Sequence, residues 1–152
     1  MKKLIITIAV VALLVTACTR KTNGLYLQAV QVAVDNYNLV VDDLDARIEA
    51  YDNDPQLIHD PTWAAESLQI LVDLQTAGNA FRTLPDATSD LDHLNSLLQS
   101  VANETDLYVD AMTTAINNLD INGVESARAH RETIGQYMDD AQNELIQFLA
   151  SH

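Results

Sequence analysis

Four stretches of this chain place apolar residues at alternating steps of three and four, the spacing that puts one continuous stripe on an α-helix. The first runs Leu27, Val30, Val34, Tyr37, Val41, Leu44, Ile48 and Tyr51. The second runs Trp63, Ser67, Ile70, Leu74, Ala77, Phe81 and Leu84, with one polar lapse at Ser67. The third is Leu91, Leu94, Leu98, Val101, Thr105, Tyr108, Met112, Ala115 and Leu119. The fourth is Val124, Ala127, Arg131, Ile134, Met138, Ala141, Leu145 and Phe148. Flanking residues such as Leu71, Leu107 and Ile146 are expected to widen these stripes to the breadth of a globular core face. No alternating pattern of strands competes with them.

The punctuation between the runs agrees. Asp60 is placed to cap the second helix, with Pro61 at its first position, where no amide donor is needed. Ser89 with Asp92 is expected to open the third helix, and Asn122 with Glu125 has the spacing of a capping box for the fourth. The gaps, Asp52 to Asp60, Pro85 to Ser89 and Asp120 to Asn122, are too short to let neighbouring helices run parallel. The fold expected over residues 25–152 is therefore an all-α, antiparallel, up-down-up-down four-helix bundle. About thirty large apolar positions, at about 1.5–3 kcal/mol each, suffice against chain entropy for a stable monomer.

The N-terminus has a different layout. Lys2 and Lys3 precede an apolar run from Leu4 to Leu14, and Val15-Thr16-Ala17-Cys18 closes it. The run is shorter than the about 20 residues of a transmembrane span and reads as a secretory signal. Ending on Cys, it resembles the lipobox of bacterial lipoproteins. The resemblance implies that residues 1–17 are removed by a dedicated signal peptidase and that the Cys18 thiol carries a diacylglyceryl group. Residues 18–24 would then be a short lipid-anchored linker, and the chain would sit in the cell envelope close to its membrane, on the outer membrane or another extracytoplasmic face. Thr19 is not the Asp that resembles an inner-membrane retention signal.

Charge and cysteine content exclude whole classes of function. The chain carries 22 acidic residues against 8 Lys and Arg, a formal net charge of −14 that becomes −16 once residues 1–17 are gone. Neutralising phosphates requires clustered cations, so nucleic acid is not a partner. Adhesion to an anionic bilayer fails for the same reason, which leaves lipid on Cys18 as the membrane attachment. Cys18 is the only cysteine, so the domain has neither an internal disulfide nor a thiolate for catalysis or zinc.

Candidate functional residues gather at the end of the bundle away from the anchor. Tyr51, Asp52, Asn53, Asp54, His59, Asp60 and Trp63 come from one connection, and Asn117, Asn118, Asp120 and Asn122 from the other. Trp63, the one tryptophan, and Tyr51 are residue types favoured at binding surfaces; equally, Trp63 can plug the end of the core. Arg131 stands where the seam expects an apolar residue, level with Met112, and needs a carboxylate partner if buried. With Arg128 and Arg47 it could instead hold an anionic ligand. Asn118 to Gly123 matches the first half of an EF-hand loop, but its twelfth position falls on Ala129, where a bidentate Glu is required, so no metal is assigned. No cofactor is assigned either: no Cys-x-x-Cys-His haem motif and no paired Glu-x-x-His is present. No nucleophile elbow exists, and the chain is not expected to be an enzyme. The expected function is a non-catalytic adaptor or accessory domain acting through an envelope protein partner, with Tyr51, His59, Trp63 and Arg131 as the candidate contact or ligand residues. The alternative is a small-molecule or ion-binding sensor or carrier, with a cavity near Arg131, Tyr51 and Trp63.

Overall fold

A computed structural model describes residues 21–151, and over these the chain is all-helical, without a strand. Its four long helices are α1 (Lys21–Asn53), α2 (Pro61–Ala80), α3 (Asp92–Asn117) and α4 (Ile121–Ser151). Short 3₁₀ turns at Pro55–His59, Phe81–Thr83 and Ser89–Leu91 fill most of the connections. The expected signal peptide and lipid-bearing Cys18 lie outside the described residues.

The helix starts follow the local chemistry, with three departures from expectation. Asp60 does cap α2: its Oδ1 accepts from the backbone amides of Thr62 at 2.7 Å and Trp63 at 3.0 Å, with Pro61 next in line. Ser89 caps nothing; Ser89–Leu91 is a 3₁₀ turn, and the neighbouring Thr88 hydroxyl donates instead to Asn23 Oδ1 at 2.8 Å. The Asn122–Glu125 capping box does not form either. Helix α4 begins at Ile121, two residues ahead of the Gly123 start that an Asn122 cap would give, and the Asp120 carbonyl accepts from the Val124 amide at 3.1 Å. Helix α1 starts at Lys21, ahead of the expected Leu25 boundary, so residues 21–24 are helix rather than linker. The buried Asn23 and its bond to Thr88 give that extra turn a tertiary partner.

The seam residues fill the core. Tyr37, Tyr51, Leu74, Phe81, Leu94, Leu98, Val101, Tyr108, Met112, Val124 and Met138 are buried almost completely. Two of the flanking residues are not: Leu107 and Ile146 are exposed, and so is Leu119 at the end of the third seam. At mid-height the packing is tied to a polar knot. Thr105 Oγ1 donates to the Val101 carbonyl at 2.8 Å, which leaves it to accept from the Tyr37 hydroxyl at 2.7 Å. The Tyr37 ring packs tilted on Phe81, with centroids 5.4 Å apart. A Cβ added at Gly78 would lie 3.1 Å from Thr105 Cγ2, so α2 and α3 approach closely here and a side chain at this position would press on Thr105.

Side chains stitch each helix to its neighbours at matching heights. Arg47 of α1 pairs with Glu66 of α2. Arg82, just past α2, reaches Asp106 and Asn103 of α3 at 2.6 and 2.9 Å. His130 of α4 meets Glu104 of α3 at 2.5 Å. Arg128 and Arg131 of α4 pair with Asp52 and Asp45 of α1. Tyr26 of α1 donates to Asn95 of α3 at 3.3 Å.

Candidate functional site

The connection between α1 and α2 and the turn between α3 and α4 come together, since the charge of Asp120 acts on the Tyr51 hydroxyl. This end of the molecule is the tip. Its floor is aromatic: Tyr51 and Trp63 stack with centroids 5.8 Å apart and an interplanar angle of 27°. They are only 1% and 5% exposed. Trp63 therefore plugs the end of the core, and neither ring is available to a partner at the surface. His59 closes the 3₁₀ turn and is exposed.

Arg131 stands at the height the spacing gives it. It pairs with Asp45, six residues and so about 9 Å along α1 from Tyr51. Its charge is felt by Tyr37 and Tyr108, and Leu44, next to its partner Asp45, lines the same space as Met112. The anionic-ligand reading of the three arginines does not fit, because each is already neutralised. Arg47 is held by Glu66, Arg131 by Asp45, and Arg128 by Asp52 and, at 3.1 Å, Glu125. The hydrogen bond to Asp52 raises the Arg128 pKa further above its ordinary value, ahead of the opposing effect of burial. Burial also outweighs Arg131 at Asp45, whose carboxyl titrates above its ordinary range.

The tip acids are engaged too. Asp52 holds Arg128, Asp54 accepts from the Gln56 amide at 3.1 Å, and Asp60 caps α2. Among the described residues no group of three or more His, Cys, Asp or Glu side chains could hold a metal ion. The half EF-hand at Asn118–Gly123 is a helix–turn–helix junction, with Ala129 well inside α4.

The space beside Trp63 is small. A void between Leu44, Ile48, Trp63, Ser67, Met112 and Ile116 measures about 10 Å³. That is the room of a single water at most, against the several hundred Å³ of a small-molecule site. In its lining the Trp63 indole N–H and the Ser67 hydroxyl are buried without a hydrogen-bond partner, as are the Tyr51 and Tyr108 hydroxyls elsewhere in the core.

Two tip residues escape the sequence reading. Leu119, expected in the third seam, has φ 54° and is 49% exposed, and Ile121 beside it is 38% exposed. The backbone explains the first. The Asp120 amide bonds to the Ala115 carbonyl at 2.9 Å and the Leu119 amide to the Ile116 carbonyl at 3.2 Å. That is the double bond of a Schellman C-cap, whose left-handed position usually belongs to glycine. The signal for it was the two-residue step from Asn118 to Asp120: a helix reversing that quickly needs one left-handed residue, and Leu119 is the one in place. No family model, curated protein or solved structure matches this chain.

Proposed function

We propose that this chain is a lipid-anchored lipoprotein of the cell envelope, a non-catalytic adaptor or accessory domain that acts through a protein partner at its tip. In this reading the four helices alternate in direction, up-down-up-down. The pairing order supports that arrangement. Contacts between α1 and α2 join Arg47 to Glu66 and, four residues later, Tyr51 to Trp63, three residues earlier. Between α3 and α4, Glu104 meets His130, whereas Ala115 lies against Gly123. The anchor rests on the basic start, apolar run and terminal Cys18 of the leader. Among the described residues no helix is long and apolar enough to cross a membrane, so a lipid would have to carry the attachment.

The observation that carries the tip reading is Leu119. A bulky side chain in the left-handed region costs about 1–2 kcal/mol that glycine avoids. The turn needs only a left-handed residue, for which glycine would serve, and Leu119 stands there with its side chain half exposed beside exposed Ile121. A large apolar pair kept in solvent against backbone strain fits a contact residue. His59 is exposed on the connection between α1 and α2 and is the polar candidate of the tip. The test places a photo-crosslinking residue at Ile121 of the full chain in native membranes. A discrete protein adduct that weakens on Leu119→Gly, while the melting temperature rises, is the expected result. Adducts absent at Ile121, or undiminished in the glycine variant, would remove the tip from the function. Separately, Cys18→Ser is expected to leave the protein unprocessed or release it from the membrane fraction; a normally lipidated variant would refute the anchor.

A further inference from the structure

We infer that the outer face of α1 is a docking strip for a basic amphipathic helix of a partner protein. Leu25, Val32 and Leu39 are 62%, 55% and 66% exposed. They stand seven residues apart, and Ala46, also exposed, continues the series. A seven-residue step turns a straight helix by only about 20° from one turn-pair to the next. The four residues therefore line one stripe, and Leu25 to Leu39 alone covers about 21 Å at 1.5 Å per residue. The stripe faces away from the core, which α1 addresses with Val30, Ala33, Val34, Tyr37, Leu44 and Ile48. Scattered exposed leucines need no explanation, but large apolar residues recurring at seven-residue steps make one continuous exposed stripe, one of the two positions per heptad by which a second helix is seated. Ala29 and Ala50, half-buried at its margin, are small enough to let another backbone come close.

Charge chooses the occupant. Asp35, Asp42, Asp43 and Glu49 are exposed beside the stripe, and the one cation among the described side chains of α1, Arg47, is turned to Glu66. A second copy would set these acids against their own kind at a net charge of −14 per chain. An anionic bilayer would be repelled in the same way. A helix with an apolar seam flanked by Lys or Arg satisfies both the stripe and its acids. This inference is independent of the lipid anchor and of the tip.

The test uses the full chain in phosphatidylcholine nanodiscs and a labelled synthetic helix with leucine heptads flanked by lysine. Empty nanodiscs and a glutamate-flanked version of the peptide serve as controls. The parent chain is expected to bind the lysine peptide and not the glutamate one. The Leu25→Asn, Val32→Asn, Leu39→Asn variant should lose about tenfold or more in affinity, the effect of about 1.4 kcal/mol, with unchanged helicity and melting temperature. Asp35→Asn, Asp42→Asn, Asp43→Asn should weaken binding and flatten its salt dependence. Leu107→Asn, an equally exposed leucine on α3, should change nothing. Undiminished binding by the triple asparagine variant of the stripe would overturn the inference, because charge alone would then explain the capture. So would a parent chain that sediments as a dimer which the same variant dissociates, since the stripe would then belong to a second copy.

Discussion

Alkaline pH should unfold this domain through its tyrosines. Four of the five tyrosines, Tyr26, Tyr37, Tyr51 and Tyr108, are buried, and burial is the leading cause that raises the pKa of each. Tyr26 and Tyr108 are both pushed up to about 12 from the ordinary 10.0, Tyr26 with added repulsion from Asp92. In the unfolded chain these phenols lose their protons near pH 10, whereas the folded chain keeps them. Above pH 10 the folded state therefore binds more protons, and stability falls as pH rises. Each such group weakens the fold by at most about 1.4 kcal/mol per pH unit, less near its two pKa values, so Tyr26 and Tyr108 together remove about 4 kcal/mol between pH 10 and pH 12. Tyr37 and Tyr51 act in the same direction. Against a total stability of about 5–15 kcal/mol, that is enough for a cooperative loss of structure before the buried phenols ionise in place. The assay follows tyrosinate absorbance and far-ultraviolet ellipticity in one titration. The buried tyrosines should ionise only together with the loss of helix. Four tyrosines titrating near pH 10 with the helical signal intact would refute the argument.

Three substitutions probe the packing. Tyr108→Phe removes a buried hydroxyl that has no partner and should leave stability unchanged or raise it, whereas Tyr37→Phe breaks the bond to Thr105 and should cost about 0.5–1.5 kcal/mol; urea unfolding that ranks the two the other way would refute this. Gly123→Ala should destabilise despite the better helix propensity of alanine, because a Cβ there would lie 2.9 Å from both Ala115 Cβ and Asp120 Oδ2; a higher melting temperature would show that α4 can simply shift. Trp63→Ala should cost about 3–5 kcal/mol, so thermal denaturation rather than a binding assay is where this substitution will register.

Helix number and the identity of the core were legible because both depend on local rules. A step of three or four decides which side of a helix a residue occupies, and Asp60-Pro61 marks a helix start whatever surrounds it. Even Ser67, a lapse in the pattern, and Arg131, an intruder in it, occupy the heights that the spacing gives them. The misses fall where a tertiary partner competes with a local rule. Thr88 uses its hydroxyl on Asn23 rather than on an amide, and that bond helps carry α1 back to Lys21. Asn122 has the spacing of a cap but comes two residues too late, because the left-handed Leu119 has already turned the chain at Asp120.

The outward faces were harder to read, for a physical reason. Seam spacing is dictated by burial, and it is silent about residues that the fold leaves in solvent. Leu107 and Ile146 flank their seams as Leu71 does, yet only Leu71 is covered, and which flank is covered depends on where the neighbouring helix lies. The same holds for function. Tyr51 and Trp63 have the composition of a binding surface, but stacked against each other they complete the core. The exposed apolar groups, Leu119 with Ile121 at the tip and Leu25, Val32 and Leu39 along α1, stand where no seam in this chain can absorb them. Among the described residues Arg47, Arg82, Arg128 and Arg131 are each taken up by a carboxylate, and the α1 strip is edged by Asp35, Asp42, Asp43 and Glu49. Under the proposed docking, that combination would disfavour a second copy of the chain and favour a partner that brings both the hydrophobic seam and the positive charge.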